Sequence, residues 1–238
     1  MRYSFVLLLL QCFTISSAQR VVDVSKGDIN VMSQGLFYSI GGEPFVTAKF
    51  VRLVKGSLFF NDEWTSSYIV LKNGKEIRRV MLKLNLLDNA VYYIDELGRE
   101  LIAKSTIRKV ILTDAITNEN YRFIHSTFLP VTAQIKSGWY LWLHTGQPAS
   151  LYKLYNKNLS EQTPYGSATI EQRIKTTEKY FVLYNNTMFR VKHPKDLPAV
   201  LANKKPEPES YYSQIAKDKV SLDDKFEKMV VYYNSLVK

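Results

Sequence analysis

The chain has 238 residues, 46% of them hydrophobic, and a formal net charge of +10 at pH 7. That length is enough for one large or two small domains with a sizeable core. A single cysteine excludes a disulfide within the chain, so stability must come from burial. The sixteen tyrosines and twelve phenylalanines favour β-rich structure, because aromatic side chains suit a pleated, half-buried surface.

The positive charge is scattered along the chain. Lysines and arginines are interleaved with acids, and no block of five or six like charges occurs. Solvated strand and helix faces account for such a pattern, and a polyanion-binding face is the alternative. The sequence therefore carries no specific nucleic-acid signal.

The first eighteen residues have the pattern of a signal peptide. Arg2 provides a short positive region, an apolar region extends from Phe5 to Ile15, and small residues at 16–18 precede Gln19. The apolar run is too short for a membrane-spanning helix, which needs roughly 20 residues. We therefore expect cleavage after Ala18.

The only cysteine, Cys12, lies inside this segment. Gln11, which precedes it, is neither small nor apolar, so the pattern predicts a released protein rather than a lipid-anchored one. Removing residues 1–18 from 238 leaves a mature chain of 220 residues, and the loss of Arg2 lowers the net charge from +10 to +9. This cysteine-free mature chain has no transmembrane segment, and we expect it in the periplasm, at the outer surface or secreted.

From residue 45 to about residue 125 the chain has the pattern of a meander of short strands. The clearest hairpin consists of Tyr68–Leu71 and Glu76–Leu86 around Asn73-Gly74, a dipeptide that favours a type I′ turn. Turns recur roughly every 8–12 residues, which is typical of a sandwich, a roll or an open barrel. Further strands are predicted at Val91–Ile94, Leu101–Ile102, Arg108–Thr113 and Tyr121–Ser126.

The returning strand of this hairpin alternates with a period of two. Such alternation, with one largely apolar side, predicts a half-buried antiparallel strand. One face is predicted to carry Arg78, Val80, Leu82, Leu84 and Leu86.

The region after residue 137 mixes strand and helix patterns. Gly138–Leu143 lacks polar alternation, which predicts a strand buried on both faces. Pro148–Asn158 is predicted to be a short helix, because three of its apolar residues lie at i, i+3 and i+4. A loop at 159–167 follows, and then a hairpin at Tyr180–Val191 that turns at Asn185-Asn186.

The end of the chain is predicted to be helical. Short helices are expected at Asp196–Asn203 and at 209–217, with a break at Lys204–Pro208. Ser221–Asp224 has the pattern of a capping box that opens the last helix. The apolar stripe of that helix consists of Leu222, Phe226, Met229, Val230, Tyr233 and Val237.

Together these elements predict an α+β fold, mostly an antiparallel β meander (sandwich, roll or open barrel) with C-terminal helices. We divide the chain into a signal peptide at 1–18, a β-rich body at 19–193 and a helical C-terminal segment at 194–238 that packs on the body. The sequence leaves a closed barrel and a sandwich both open.

Eight short runs of the chain form a recognisable pattern: Gly56–Asn61, Trp64, Val70–Gly74, Val80–Asn85, Tyr180–Leu183, Lys204-Lys205, Lys225–Lys228 and Tyr232–Leu236. This pattern resembles a group of exported, uncharacterised proteins common in Bacteroidota. The resemblance implies a β-rich exported protein with a helical end. No activity is established for that group, so the resemblance supplies no catalytic residue.

No catalytic constellation is visible in the sequence. Only His125, His144 and His193 could act as imidazole bases, and the mature chain has neither a Gly-x-Ser-x-Gly elbow nor a thiol. His-x-x-x-His and Cys-x-x-Cys spacings are also missing. We therefore predict no catalytic residue, no metal site and no cofactor.

Aromatic residues are the remaining candidates for binding. Successive side chains of a strand point to opposite faces, so Trp139 is predicted on one face and Tyr140 and Trp142 on the other. His144 follows at the strand end. Core packing is the default for such rings, but exposed rings could stack on sugars or grip a peptide. These four residues are our candidate binding residues.

Three functions are compatible with these patterns. The first is an exported non-enzymatic binding or interaction module whose partner is an envelope protein or a glycan. The alternatives are a hydrolase with a dispersed active site and a carrier of an apolar ligand in the β-body. A flat aromatic patch would favour the first, a deep pocket with convergent polar groups the second, and a closed apolar cavity the third.

Cleavage of the signal peptide can be tested directly. Mass spectrometry of the exported protein should show an N-terminus at Gln19, either free or cyclised to pyroglutamate. A diacylglycerol-modified N-terminus at Cys12 would contradict the prediction of a released protein.

Overall fold

The computed structural model describes residues 40–45, 51–130, 135–201 and 207–236. The predicted signal peptide with Cys12, the Lys204-Lys205 pair and Val237 lie outside the described residues. Twelve strands are assigned in chain order: β1 Gly42–Pro44, β2 Val51–Lys55, β3 Thr65–Leu71, β4 Glu76–Asn85, β5 Ala90–Ile94, β6 Glu100–Ala103, β7 Ile107–Thr113, β8 Asn120–His125, β9 Trp139–His144, β10 Ala149–Gln162, β11 Ile170–Tyr184 and β12 Thr187–Val191. The helices are α1 Leu197–Leu201, α2 Glu207–Ile215 and α3 Leu222–Leu236, with 3₁₀ turns at Ser126–Phe128 and Pro194–Asp196.

The strands form one open sheet in the order β1-β6-β5-β4-β3-β7-β8-β9-β10-β11-β12. Neighbouring strands on this path are antiparallel, and β2 joins separately as a parallel partner of β11. The predicted α+β fold with antiparallel strands and C-terminal helices is confirmed. None of the described helices is long and apolar enough to cross a membrane.

The turn of the β3–β4 hairpin differs from its prediction. A type I′ turn needs positive φ at both central residues, and here only Gly74 has it, at +86°. The amide N of Leu71 donates to the carbonyl O of Lys75 at 2.9 Å, so the connection is longer than a two-residue turn. Within it, the amide N of Lys75 donates to the side-chain oxygen of Asn73 at 3.0 Å. The hairpin at Asn185-Asn186 is the one with positive φ at both residues, 49° and 59°.

A β-bulge changes which face the start of β4 presents. The register on β3 shifts between Ser67 and Tyr68, and Arg79 adopts φ +59°. Val80 therefore remains inside, but Arg78 pairs with Tyr68 on the outer face. The prediction that Arg78 shares a face with Val80 is wrong, because the extra residue reverses the alternation at that point.

The predicted helix at Pro148–Asn158 is also wrong, since β10 covers Ala149–Gln162. The first part of the predicted loop at 159–167 belongs to the same strand. Both faces of the N-terminal half of β10 are buried, so its apolar residues do not alternate. Without alternation, the spacing of Leu151, Leu154 and Tyr155 imitates one face of a helix.

Three apolar clusters hold the sheet. The inner face of β3–β9 encloses one cluster that includes Tyr93 and Phe123. The outer face of β9–β12 carries a second, with Tyr140 and Phe181. The opposite face of β10–β12 carries the third, which the helices cover.

The last helix, α3, packs on the third cluster. Phe226 is fully buried and stacks on the Tyr180 ring with centroids 4.2 Å apart. The Asn234 side chain accepts from the amide N of Ala149 and donates to its carbonyl O, at 2.9 and 2.8 Å. Of the predicted stripe, Leu222 is the exception, with 46% of its surface exposed. The capping box is present: the amide N of Asp224 donates to Ser221 Oγ, and that of Ser221 donates to the Asp224 carboxylate.

Truncation of Phe226 should destabilise the fold. Replacing a buried Phe with Ala costs about 3–5 kcal/mol, a large part of the roughly 5–15 kcal/mol that stabilises a domain. Phe226→Ala should therefore lower the denaturant midpoint markedly. Val231→Ala is a matched truncation on the exposed side of the same helix and should change the midpoint little. Equal midpoints for both variants would contradict the packing of α3 on the sheet.

Candidate binding surface

Two of the predicted binding residues are core residues. Trp139 is 3% exposed, and its indole N–H donates to the carbonyl O of Asn89 at 3.2 Å. Tyr140 is fully buried, and its hydroxyl donates to the carbonyl O of Lys136 at 3.0 Å. Their polar atoms are thus bonded within the protein, and neither ring face is open to a large partner.

The third predicted residue, Trp142, is half-buried and belongs to a row that crosses the outer face of the sheet. Tyr68 pairs with Ile111, and Ile111 pairs with Arg122. The register of β8 on β9 then brings Arg122 beside Trp142, which pairs with Tyr152. Since directly opposed residues share a face, these side chains form one aromatic and basic row.

Cations lie over the rings of this row. The Arg78 guanidinium is 5.1 Å from the centroid of the Tyr68 ring, and the Lys109 Nζ is 5.3 Å from the centroid of the Trp142 ring. Such contacts contribute about 0.5–1 kcal/mol at exposed sites. They hold the long side chains against the sheet, so the charges lie close to its surface.

Among the described residues, acidic partners are lacking for two of the three cations along this row. Arg78 pairs with Glu76 at 3.4 Å, at one end of the row. Within the described part of the chain, Lys109 and Arg122 form no ion pair. We call Tyr68, Lys109, Ile111, Arg122 and Trp142 the outer row. It combines flat half-buried side chains with unneutralised positive charge.

The fourth predicted residue, His144, lies on the other side of the sheet. The register of β9 on β10 is interrupted, so that Leu151 pairs with His144 but Tyr152 pairs with Trp142. This irregularity turns His144 towards α3, where its Nδ1 is 3.4 Å from a carboxylate oxygen of Glu227. The structure therefore does not bring His144 and Trp142 together.

The Nδ1 atom of His125 is already hydrogen-bonded within the protein. It lies 2.8 Å from the Thr127 hydroxyl and accepts the backbone N–H of Thr127 at 3.4 Å. We assign the proton of the neutral imidazole to Nε2, because an Nδ1 atom that accepts the Thr127 backbone N–H cannot carry it. Burial lowers the pKa of His125, which favours this neutral form. The free nitrogen is thus a donor, which does not suit a general base.

A buried lysine forms a second cluster of charges, under α3. Lys153 is 4% exposed, and its Nζ lies 2.9 Å from Asp223 and 3.0 Å from Glu178. The Tyr180 hydroxyl donates to Asp223 at 2.5 Å. Burial favours the neutral amine, but the hydrogen bonds to Asp223 and Glu178 outweigh it and raise the pKa of Lys153. The first turn of α3 is therefore fixed to β10 and β11 by a complete ionic network, and we assign this cluster a structural role.

Among the described residues, no group of three or more His, Cys, Asp or Glu side chains is arranged to hold a metal ion. Comparison of the chain with protein-family models, with curated proteins and with solved structures returned no match.

The role assigned to the lysine cluster predicts how stability depends on pH. Burial, and then the bond to Asp223, raise the pKa of Tyr180 above its ordinary value near 10. A group whose pKa is raised on folding stabilises fully below its unfolded pKa and loses that contribution as the pH rises towards the folded pKa. The free energy of unfolding should therefore fall above about pH 10.

Replacing Tyr180 measures its contribution to this alkaline fall in the free energy of unfolding. In Tyr180→Phe the alkaline fall in the free energy of unfolding should be shallower by about one proton, or roughly 1.4 kcal/mol per pH unit. Tyr165→Phe is the control, because Tyr165 is fully exposed and its removal should leave the slope unchanged. Chemical denaturation at a series of pH values measures both. Identical slopes in the two variants would contradict the assigned role.

Proposed function

We propose that this chain is an exported, non-enzymatic binding module that holds an anionic glycan on the outer row. The observation that carries the proposal is the pair of unneutralised cations, Lys109 and Arg122, beside the half-buried ring of Trp142. An anionic glycan is a polymer that carries carboxylate or sulfate groups.

Electrostatics supports an anionic partner. The mature chain expected after removal of residues 1–18 has a net charge of +9, so its long-range field attracts anions. Arg122 can bind a carboxylate or sulfate with two parallel hydrogen bonds, and Lys109 can add a point charge. Exposed cations attract such groups weakly one by one, so binding needs repeated charges along a polymer.

The shape of the outer row supports a sugar polymer. A sheet face is flat and extended, whereas a small-molecule site is a concave cleft. Tyr68, Ile111 and Trp142 come from β3, β7 and β9 and are half-buried, so they offer an apolar strip between the charges. Sugar rings have apolar faces that fit such a strip, and their charged substituents would lie against Lys109 and Arg122.

The other two functions have less support. A hydrolase would need a free base, and the free nitrogen of His125 is a donor while His144 faces Glu227. A carrier would need room inside the sheet, and the inner cluster is filled by residues such as Tyr93, Phe123 and Leu82, which are at most 1% exposed. These observations favour binding at a surface.

The proposal predicts retention of the mature protein on immobilised polygalacturonate and on heparin, weakening as salt is added. Lys109→Ala/Arg122→Ala should weaken binding about tenfold or more, because the loss of two charged hydrogen-bond donors costs at least about 1.5 kcal/mol. Affinity is measured by biolayer interferometry.

A matched control distinguishes binding at the outer row from general attraction by the net positive charge of the protein. Lys192→Ala/Lys195→Ala also removes two positive charges, from exposed positions near the helices, and should reduce binding far less. Retention on neutral dextran should be negligible. Equal losses in both double variants, or no retention of the unaltered protein on either anionic polymer, would show that the outer row is not the binding site.

A further inference from the structure

A cleft lies on a different part of the molecule, where the first residues of β5 and β7 meet the end of β8 and the start of β9. It has a volume of about 170 Å³. That is room for about six water molecules, and it is smaller than the roughly 300–1,000 Å³ of sites for drug-sized ligands. Its lining is Asn89, Ala90, Val91, Ala103, Ser105, Thr106, Ile107, His125, Thr127 and Trp139.

The lining mixes polar and apolar residues and carries no formal charge. None of its residues is Lys, Arg, Asp or Glu, in contrast to the outer row. A charged ligand would lose hydration in the cleft without gaining an ion pair, so the site favours an uncharged one. Thr106 and Thr127, whose side chains carry hydroxyl groups, line it together with Asn89 and His125.

Thr127 determines which atoms of the cleft donate and which accept hydrogen bonds. In the tautomer that we assign from the contact of the Thr127 backbone N–H with Nδ1 of His125, the Thr127 hydroxyl donates to Nδ1, so its oxygen remains an acceptor and Nε2–H of His125 is a donor. The imidazole packs edge to face on Trp139, with centroids 5.1 Å apart, which fixes the ring plane. The Trp139 N–H is bonded to the carbonyl O of Asn89, and only 3% of this residue is exposed, so the indole contributes a small apolar wall. A donor and an acceptor beside an apolar wall match adjacent hydroxyls on one face of a sugar ring.

We infer that this cleft binds a single uncharged sugar ring through Nε2–H of His125 and the hydroxyl oxygen of Thr127. The inference does not depend on the outer row, because no residue is shared between the two sites. The ligand would be a free monosaccharide or the terminal unit of a neutral glycan, and both present the same hydroxyls. A dissociation constant in the millimolar range is expected for a ligand of about a dozen heavy atoms.

The test is an NMR titration of the mature chain with five neutral probes: glucose, galactose, mannose, fucose and N-acetylglucosamine. Long-range ¹H–¹⁵N spectra should show His125 protonated on Nε2 before any ligand is added. At least one probe should shift the His125 and Trp139 ring signals in a saturable way, while glucuronate should not. Absence of a saturable shift with all five probes would overturn the inference, as would a His125 protonated on Nδ1.

Two variants locate the binding. His125→Phe keeps a ring against Trp139 but removes the donor, and should weaken sugar binding at least tenfold. Thr127→Val removes the acceptor from an exposed position, so the core should stay intact, and it should weaken binding to a similar extent. His193→Phe is the control on the helical side and should bind normally. Unchanged affinity in both cleft variants would place the sugar elsewhere and overturn the assignment. Because Lys109 and Arg122 are untouched, retention on polygalacturonate should be normal in every variant.

Discussion

The pairing of β10 with β11 is the interaction on which the rest of the structure depends. The two strands pair from Ala149 opposite Tyr184 to Gln162 opposite Glu171 without a shift in register. On one face, Leu151 and Tyr180 belong to the apolar cluster on which the helices pack. On the other face, Tyr152 and Phe181 hold the outer cluster. Because the same strands serve both clusters, a shift in their register by one residue would exchange the two faces and dismantle both.

The outer row contacts the β10–β11 pair through Tyr152 of β10. Trp142 stacks on Tyr152 with its ring plane inclined by 13°, and Tyr152 is itself 3% exposed. A rigid neighbour holds the indole at the surface and limits the conformational entropy that is lost when a partner binds. At the other end of the row, Tyr68 is hydrogen-bonded to Glu76, and the same carboxylate pairs with Arg78 and neutralises its charge. The binding energy should therefore be concentrated near Trp142, Lys109 and Arg122.

Lysines have two different roles in this protein, and burial decides between them. Lys153 is buried, so its charge would be costly without the carboxylates of Asp223 and Glu178. Lys109 keeps its ammonium over an aromatic ring at the surface, where water and the ring stabilise it without an acid. The first arrangement is complete and fixes a helix. In the second, no acid among the described residues neutralises Lys109, so its charge is available for the anionic partner that we propose.

The sequence alone determined the features that depend on neighbours close along the chain. The Asn185-Asn186 turn, the capping box at Ser221 and the buried stripe around Phe226 are local patterns, and the structure has all three. The sequence also predicted the class of fold, because alternating strands and turns are repeated many times before the helices begin. It could not predict β10, since a strand buried on both faces loses the alternation that distinguishes strand from helix.

Only the tertiary structure decided which side chains meet. The outer row joins Tyr68, Ile111, Arg122 and Trp142 from four strands, and their proximity depends on register rather than on sequence spacing. Irregular pairing moved His144 away from Trp142 and Arg78 away from Val80. A bulge adds one residue to a strand and so reverses the face on which every later side chain lies. No local sequence pattern predicts these two irregularities. Faces, neighbours and sites were therefore set by strand pairing, while turns, caps and the final helix were set by the chain itself.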